Sequence, residues 1–171
     1  MTDHPLYRYF VENLREVTKA LATVSRLVRL AIARQDPENN VRSLIRLYSF
    51  LLGAWAETRL RKLVYERNGL SDDERTRVLS AKTQFDQWLL LAEVAFRRNL
   101  KLSKAPLNRQ TMGVVHHARY SAILDIFNSD LRIIIEIRNK LAHGQWIYPF
   151  NNDVTKVEQD KYLLINKENI Q

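Results

Sequence analysis

The hydrophobic positions of the chain recur with the alternating three- and four-residue spacing of α-helices. A first long helix is predicted by the positions Phe10, Leu14, Val17, Leu21, Val24, Val28 and Ala31. Asp36 suits the N-cap of a second helix and Pro37 suits its first turn. The apolar positions of this second helix are Val41, Leu44, Tyr48, Leu51, Trp55, Leu60 and Val64. Asn68 and Gly69 predict where it stops.

A capping box predicts the start of the next helix. Ser71 and Glu74 form the pattern S-x-x-E, in which each side chain bonds the backbone N–H of the other residue. A second start is expected near Ser80, before the strongly helical segment FDQWLLLAEVAFRRNL. A polar loop, KLSKAPLNRQ, follows, and the helical pattern resumes around Tyr120.

The segment FNSD is expected to interrupt that pattern, with Asn128 or Ser129 as the cap of a last helix, DLRIIIEIRNKLAH. Gly144 stands where a C-terminal glycine belongs. The stretch LRIIIEI is β-branched and has the propensity of a strand. A helix is favoured because Leu131, Ile134 and Leu141 continue the four- and three-residue spacing from Phe127. Arg138 occupies the position of that stripe between Ile134 and Leu141.

These elements predict an all-α fold, an antiparallel bundle of four to five helices, over residues 1–150. Beyond Gly144 the sequence pattern changes, and VTKVEQDKYLLINKENIQ suggests a short extended segment or hairpin. Residues 151–171 are therefore expected to be a C-terminal extension, and whether this extension is truncated stays open.

Composition narrows the class of protein further. A chain of 171 residues with 46% hydrophobic and 27% charged residues suits one globular domain. Without cysteine, disulfides, thiol catalysis and cysteine-based zinc sites are excluded. The N-terminus lacks a signal-peptide-like apolar stretch and no window suits a membrane span, so a cytoplasmic protein without membrane contact is expected. A net charge of +8 favours polyanionic partners such as RNA, or it reflects only a basic surface.

The segment EIRNKLAHGQW carries the most chemistry. Arg138 lies on an apolar stripe, where a cation needs a partner or a ligand. Asn139 can donate and accept hydrogen bonds, and His143 lies at the exposed end of the helix. The alternative is structural, because Arg and His in the last turn of a helix often only cap carbonyls and interact with the helix dipole.

The string IRNKLAHGQW resembles the signature of HEPN domains (higher eukaryotes and prokaryotes nucleotide-binding), a helical family rich in RNases. That signature has an Arg, a polar residue, then three to five residues and a His on the last core helix, and Arg138, Asn139 and His143 match it. The segments AWAETRLRKLVYERNGLS and FDQWLLLAEVAFRRNL are similar to those of a bacterial HEPN branch. The resemblance covers about residues 10–150. Relatives differ in continuing with a further helix after INKENI.

The resemblance implies a metal-independent endoribonuclease that acts as a toxin or anti-phage defence effector and needs no cofactor. Attack of the 2′-OH on the neighbouring phosphorus requires proton transfer, which His143 can perform, and a cation for the phosphate, which Arg138 can supply. Asn139 would position one or the other. One protomer supplies one suitable His, so two are expected to meet in the composite site of a homodimer. The expected products are a 2′,3′-cyclic phosphate and a 5′-hydroxyl, and an antitoxin or a sensor subunit is the expected regulator.

A second hypothesis is a non-catalytic HEPN-like helical module for protein interaction or nucleotide binding. Glu57 is a possible supporting residue for the site, or an ordinary salt-bridging glutamate. A group of basic residues either contacts the RNA backbone or is only a solvated helix end. Its members are Arg97, Arg98, Lys101 and Lys104. No metal site is expected, because the adjacent His116 and His117 would point about 100° apart on a helix.

Overall fold

The computed structural model describes residues 4–166, and over this range the all-α class is confirmed. The described α-helices are Tyr7–Ala33 (α1), Glu38–Val64 (α2), Asp72–Leu79 (α3), Gln84–Asn99 (α4), Arg109–Met112 (α5), Val114–Ile126 (α6), Arg132–Ala142 (α7) and Gln159–Asn166 (α8). A π-helical turn, Phe127–Leu131, joins α6 to α7. No helix within residues 4–166 combines the length and apolar character needed to cross a membrane.

The described chain divides into two compact units. The first unit comprises residues 4–12 and 57–133, and the second comprises residues 13–56 and 134–166. The second unit contains all three residues of the predicted catalytic motif.

The capping box at the start of α3 in the first unit is confirmed. The Ser71 hydroxyl accepts a hydrogen bond from the Glu74 N–H, and the Glu74 carboxylate accepts one from the Ser71 N–H at 2.7 Å. The expected second start near Ser80 is confirmed to within three residues, since Ser80 is the C-cap of α3 and Thr83 is the N-cap of the next helix. Helix α4 begins after Thr83, whose hydroxyl accepts a bond from the Asp86 N–H. Thr83 satisfies an N-terminal amide that Ser80 is too far away to reach.

The predicted interruption at FNSD is confirmed as a π-helical turn between α6 and α7, but the chain stays helical there and the expected cap at Asn128 or Ser129 is wrong. Asn128 donates from its amide to the Leu124 carbonyl at 2.8 Å and accepts from Arg132 at 3.0 Å. Both bonds span one turn, so Asn128 acts inside the helix rather than as a cap. The ring of Phe127 packs edge-on against Trp88 at 5.5 Å, which ties the turn to α4.

In the second unit, the chain after α7 folds back along that helix. Phe150 and Val157 form an isolated antiparallel bridge, so within the described residues the expected extended segment or hairpin is reduced to this one pair. The part of that segment that follows forms α8 instead. Asn166 at the end of α8 accepts a bond from the buried Arg46 of α2 at 2.7 Å and donates to the Ile147 carbonyl at 3.1 Å. This tertiary anchoring explains why a short, weakly amphipathic stretch is helical.

Candidate functional site

His143 follows α7 directly, at a helix end whose last carbonyls accept hydrogen bonds from backbone N–H groups. The His143 N–H is shared between the carbonyls of Asn139 and Lys140, both at 3.2 Å. Gly144 has a φ of +75°, its N–H bonds the Leu141 carbonyl, and the next N–H bonds the Lys140 carbonyl. This arrangement is a Schellman motif, which satisfies the last carbonyls with backbone N–H groups. The imidazole of His143 is exposed and is not required for that capping.

Arg138 and Asn139 are joined by a hydrogen bond at the same end of α7. Nη1 of Arg138 donates to Oδ1 of Asn139 at 3.1 Å. Asn139 and His143 are four residues apart and therefore lie on one side of the helix, whereas Arg138 and His143 differ by about 140°. The bond to Asn139 thus turns the guanidinium toward the side that carries the imidazole.

The Arg138 side chain is half-buried, and burial lowers the pKa of its guanidinium below the ordinary value. The group nevertheless keeps its charge at any physiological pH, because arginine is not deprotonated in proteins. A partly desolvated cation interacts more strongly with an anion than a fully solvated one does. This environment therefore suits the binding of a phosphate.

Asn139 and His143 line an open cavity of about 900 Å³. Its other lining residues are Glu136, Lys140, Gln145, Asn151, Asn152, Val154 and Lys161. Most of these are polar or charged, and the volume lies in the range of sites for small ligands or for one or two nucleotides.

The far wall of this cavity is a tight turn over residues 151–156. Oδ1 of Asn151 accepts bonds from the N–H groups of Thr155 at 2.8 Å and Lys156 at 3.1 Å. Val154 has a φ of +54°, a conformation that costs energy for a β-branched residue. The Asn151 side chain is thus committed to holding the turn.

Four charged residues form an ion-pair network beside the cavity, and the sequence did not point to them. Lys140 pairs with Glu158 at 2.6 Å and also donates to the Phe150 carbonyl. Lys161 pairs with Glu158 at 3.1 Å and with Glu136 at 3.4 Å. The two lysines are thus balanced by two glutamates, and Arg138 is the cation of the motif itself. A hint lies in the sequence, since Glu158 and Lys161 are three residues apart at the start of α8.

Because of this network, we expect the C-terminal segment, here residues 143–166 after α7, to loosen at low pH. The hydrogen bond from Lys140 lowers the pKa of Glu158 below its ordinary value. The ionised Glu158 therefore stabilises the folded protein fully at pH values above the ordinary carboxylate pKa. This stabilisation is lost as the pH falls through the lowered pKa. Acidification is expected to shift the indole NMR signal of Trp146, which lies in that segment, and Glu158→Gln is expected to remove the transition. Identical profiles for both proteins would contradict this assignment.

An exposed apolar surface adjoins His143. Trp146, Ile147, Tyr148 and Val154 are 37%, 49%, 55% and 65% exposed, respectively. With His143 they line a second cavity of about 550 Å³. Contiguous exposed apolar side chains of this kind are typical of interaction surfaces.

The other predicted site residues lie in the first unit. Glu57 is half-buried on α2. Arg97 donates to Glu93 at 2.8 Å and to the Ala105 carbonyl at 2.7 Å, which commits its guanidinium to the α4 terminus. Arg98 pairs with Glu74 at 3.0 Å.

Lys101 and Lys104 are exposed in the loop after α4. Their contact with an RNA backbone, like that of the two arginines, stays a prediction, as does the supporting role of Glu57. Within residues 4–166 no three His, Asp or Glu side chains cluster in a way that suits a metal ion.

Comparisons with known proteins gave no match that identifies a family for this chain. No family model matches the chain, and the searches of curated proteins and of solved structures gave no significant match.

Proposed function

We propose that this chain is a metal-independent endoribonuclease of the HEPN type. One observation carries the proposal: Asn139 and His143 lie one turn apart on the wall of an open polar cavity, with the Arg138 guanidinium bonded to Asn139. This supplies a fixed cation for a phosphate and a proton-transferring group on one helix end.

The proposed reaction is an internal transfer at phosphorus. The RNA 2′-oxygen loses its proton to a base and forms a bond to the adjacent phosphorus, while the bond from phosphorus to the 5′-oxygen breaks. An acid protonates that leaving oxygen, which yields a 2′,3′-cyclic phosphate and a 5′-hydroxyl. Arg138 binds the non-bridging oxygens, where its planar fork can donate two parallel bonds, and Asn139 holds the guanidinium.

The need for both a base and an acid favours a homodimer. His143 is the one histidine that lines the cavity among the described residues, and an imidazole that accepts the 2′-OH proton cannot at that moment donate to the leaving oxygen. Two protomers related by a two-fold axis bring two imidazoles to one phosphate. The exposed apolar residues Trp146, Ile147, Tyr148 and Val154 adjoin His143 and supply apolar area for such an interface.

The biological role that we propose is that of a toxin or anti-phage defence effector, restrained by an antitoxin or a sensor subunit. This rests on the resemblance of IRNKLAHGQW to the HEPN signature. Expression of the wild-type chain in a bacterial host is expected to arrest growth in that case.

The direct test is cleavage of end-labelled RNA by the purified full chain in EDTA. We expect fragments with a new 5′-hydroxyl, detected by phosphorylation with polynucleotide kinase without prior phosphatase treatment, and a 2′,3′-cyclic phosphate, detected by mass spectrometry. The matched substrate with 2′-deoxyribose at the cleaved nucleotide should stay intact. Products with a 3′-hydroxyl, or an absolute need for a divalent ion, would contradict the mechanism.

A second candidate function is a non-catalytic HEPN-like module that binds a nucleotide or a partner protein. The observation that favours it is a mainly apolar cavity of about 600 Å³ in the first unit, lined among others by Leu63, Trp88, Phe96 and Ile123. Intact RNA in the test above, together with ligand-dependent thermal stabilisation by a nucleotide, would favour this candidate.

A further inference from the structure

Gly53 stands in the interior of α2, where glycine is a poor residue. The other glycines of the chain lie in turns or at helix ends, at positions 69, 113 and 144. Glycine in the middle of a helix is less stable than alanine because its backbone loses more conformational freedom on folding. A buried glycine at such a position therefore indicates that a side chain would not fit.

The space that a side chain at position 53 would need is filled by Arg138. A Cβ added to Gly53 would lie 2.6 Å from Cγ of Arg138 and closer still to its Cβ. It would also lie 3.3 Å from the Ile134 carbonyl oxygen, one turn earlier on α7. Nonbonded carbons need about 3.5 Å, and the Arg138 Cβ is fixed to the helix backbone. The first two carbons of the Arg138 stem thus lie directly against the α2 backbone.

We propose that Gly53 is a positioning residue for Arg138: its missing side chain lets α2 clamp the Arg138 stem so that the guanidinium reaches Asn139 and the substrate phosphate. This inference rests on the proposed function for the role of the guanidinium, but the clamp itself is a matter of packing. With Cβ and Cγ held by α2 and Nη1 held by Asn139 at 3.1 Å, both ends of the side chain are fixed. A fixed cation needs no reorganisation during the reaction.

Gly53→Ala tests the clamp, with Gly69→Ala as its matched control. The control makes the same chemical change at a tight position, since a Cβ at Gly69 would lie 2.9 Å from the Glu66 carbonyl oxygen, but Arg138 is not among its contacts. We expect Gly53→Ala to lower kcat by about 10- to 100-fold, in line with the cost of misplacing a catalytic group by about 1 Å. Gly69→Ala should leave kcat within about twofold, and KM should change little in both.

A double-mutant cycle distinguishes positioning from general destabilisation. In an Arg138→Lys background, which has already lost the guanidinium, Gly53→Ala is expected to lower kcat by less than about twofold. A full additional loss of 10-fold or more in that background would overturn the proposal. Wild-type kcat in the single Gly53→Ala variant would also overturn it.

A measurement that is independent of activity closes the test. In the wild-type protein the Arg138 Nε–Hε group, assigned by its disappearance in Arg138→Lys, should give a sharp NMR signal that exchanges slowly with solvent. Gly53→Ala should broaden or shift that signal and Gly69→Ala should not. A wild-type Arg138 signal as fast-exchanging as those of exposed arginines would refute the clamp even if Gly53→Ala failed to fold. A clamped Arg138 in a protein that does not cleave RNA would refute the proposed function and leave the clamp intact.

Discussion

Replacement of His143 by alanine is expected to abolish RNA cleavage, with a fall in the rate of about 10²- to 10⁴-fold, the usual contribution of a positioned acid or base. The side chain is exposed, and the helix end is capped by backbone N–H groups, so the substitution removes the imidazole without disturbing the fold. Single-turnover rates on labelled RNA in EDTA measure the loss. Growth arrest on expression should disappear in parallel.

The matched control for this variant is His116→Ala. His116 is a half-buried histidine of α6 in the first unit and has no role in the proposed reaction. The His116→Ala variant should cleave RNA at about the wild-type rate. If His143→Ala cleaves as fast as His116→Ala does, proton transfer by His143 is excluded.

Replacement of Arg138 by lysine is expected to lower kcat by about 10- to 100-fold even though the charge is kept, because an ammonium cannot donate the two parallel bonds of a guanidinium. Arg138→Ala should cost more, about 10²- to 10³-fold, as is found when a donor to a developing oxyanion is removed. Measured kcat and KM separate this effect from weaker RNA binding, since a group that acts in the transition state changes mainly kcat.

Arg132→Lys is the matched control for Arg138→Lys. Arg132 also lies on α7 and donates to an asparagine side chain, that of Asn128, at 3.0 Å, and its guanidinium lies over the ring of Phe85 at 4.1 Å. It is expected to lose some stability and little activity. Equal losses of kcat from both variants would mean that Arg138 contributes to folding alone.

Much of the helical structure could be predicted because it depends on residues close in sequence. The apolar spacing of α1 and α4 and the capping box at Ser71 are local patterns, and the structure confirms them. The cap at FNSD was predicted wrongly because Asn128 is a good cap by type. Its amide instead bonds within the helix, and Trp88, almost forty residues away, packs on the turn.

The candidate site could likewise be predicted only where it depends on residues that are close in sequence. The motif at the end of α7 was predicted from the sequence, and its four-residue spacing places Asn139 and His143 on one side of that helix. The approach of Gly53 to Arg138 and the ion pair of Lys161 with Glu136 could not be predicted, since these residues come from other helices. A glycine inside a predicted helix was the only local signal of that contact.

In the proposed enzyme, two protomers combine their His143 imidazoles at one scissile phosphate. The most direct test of this arrangement is the cleavage rate of a heterodimer of one wild-type and one His143→Ala subunit, purified by two different affinity tags. If both imidazoles serve one site, this heterodimer should cleave at least about 100-fold more slowly than the wild-type homodimer. A heterodimer with about half of the wild-type rate, as independent sites would give, or a monomer that cleaves RNA, would contradict this arrangement.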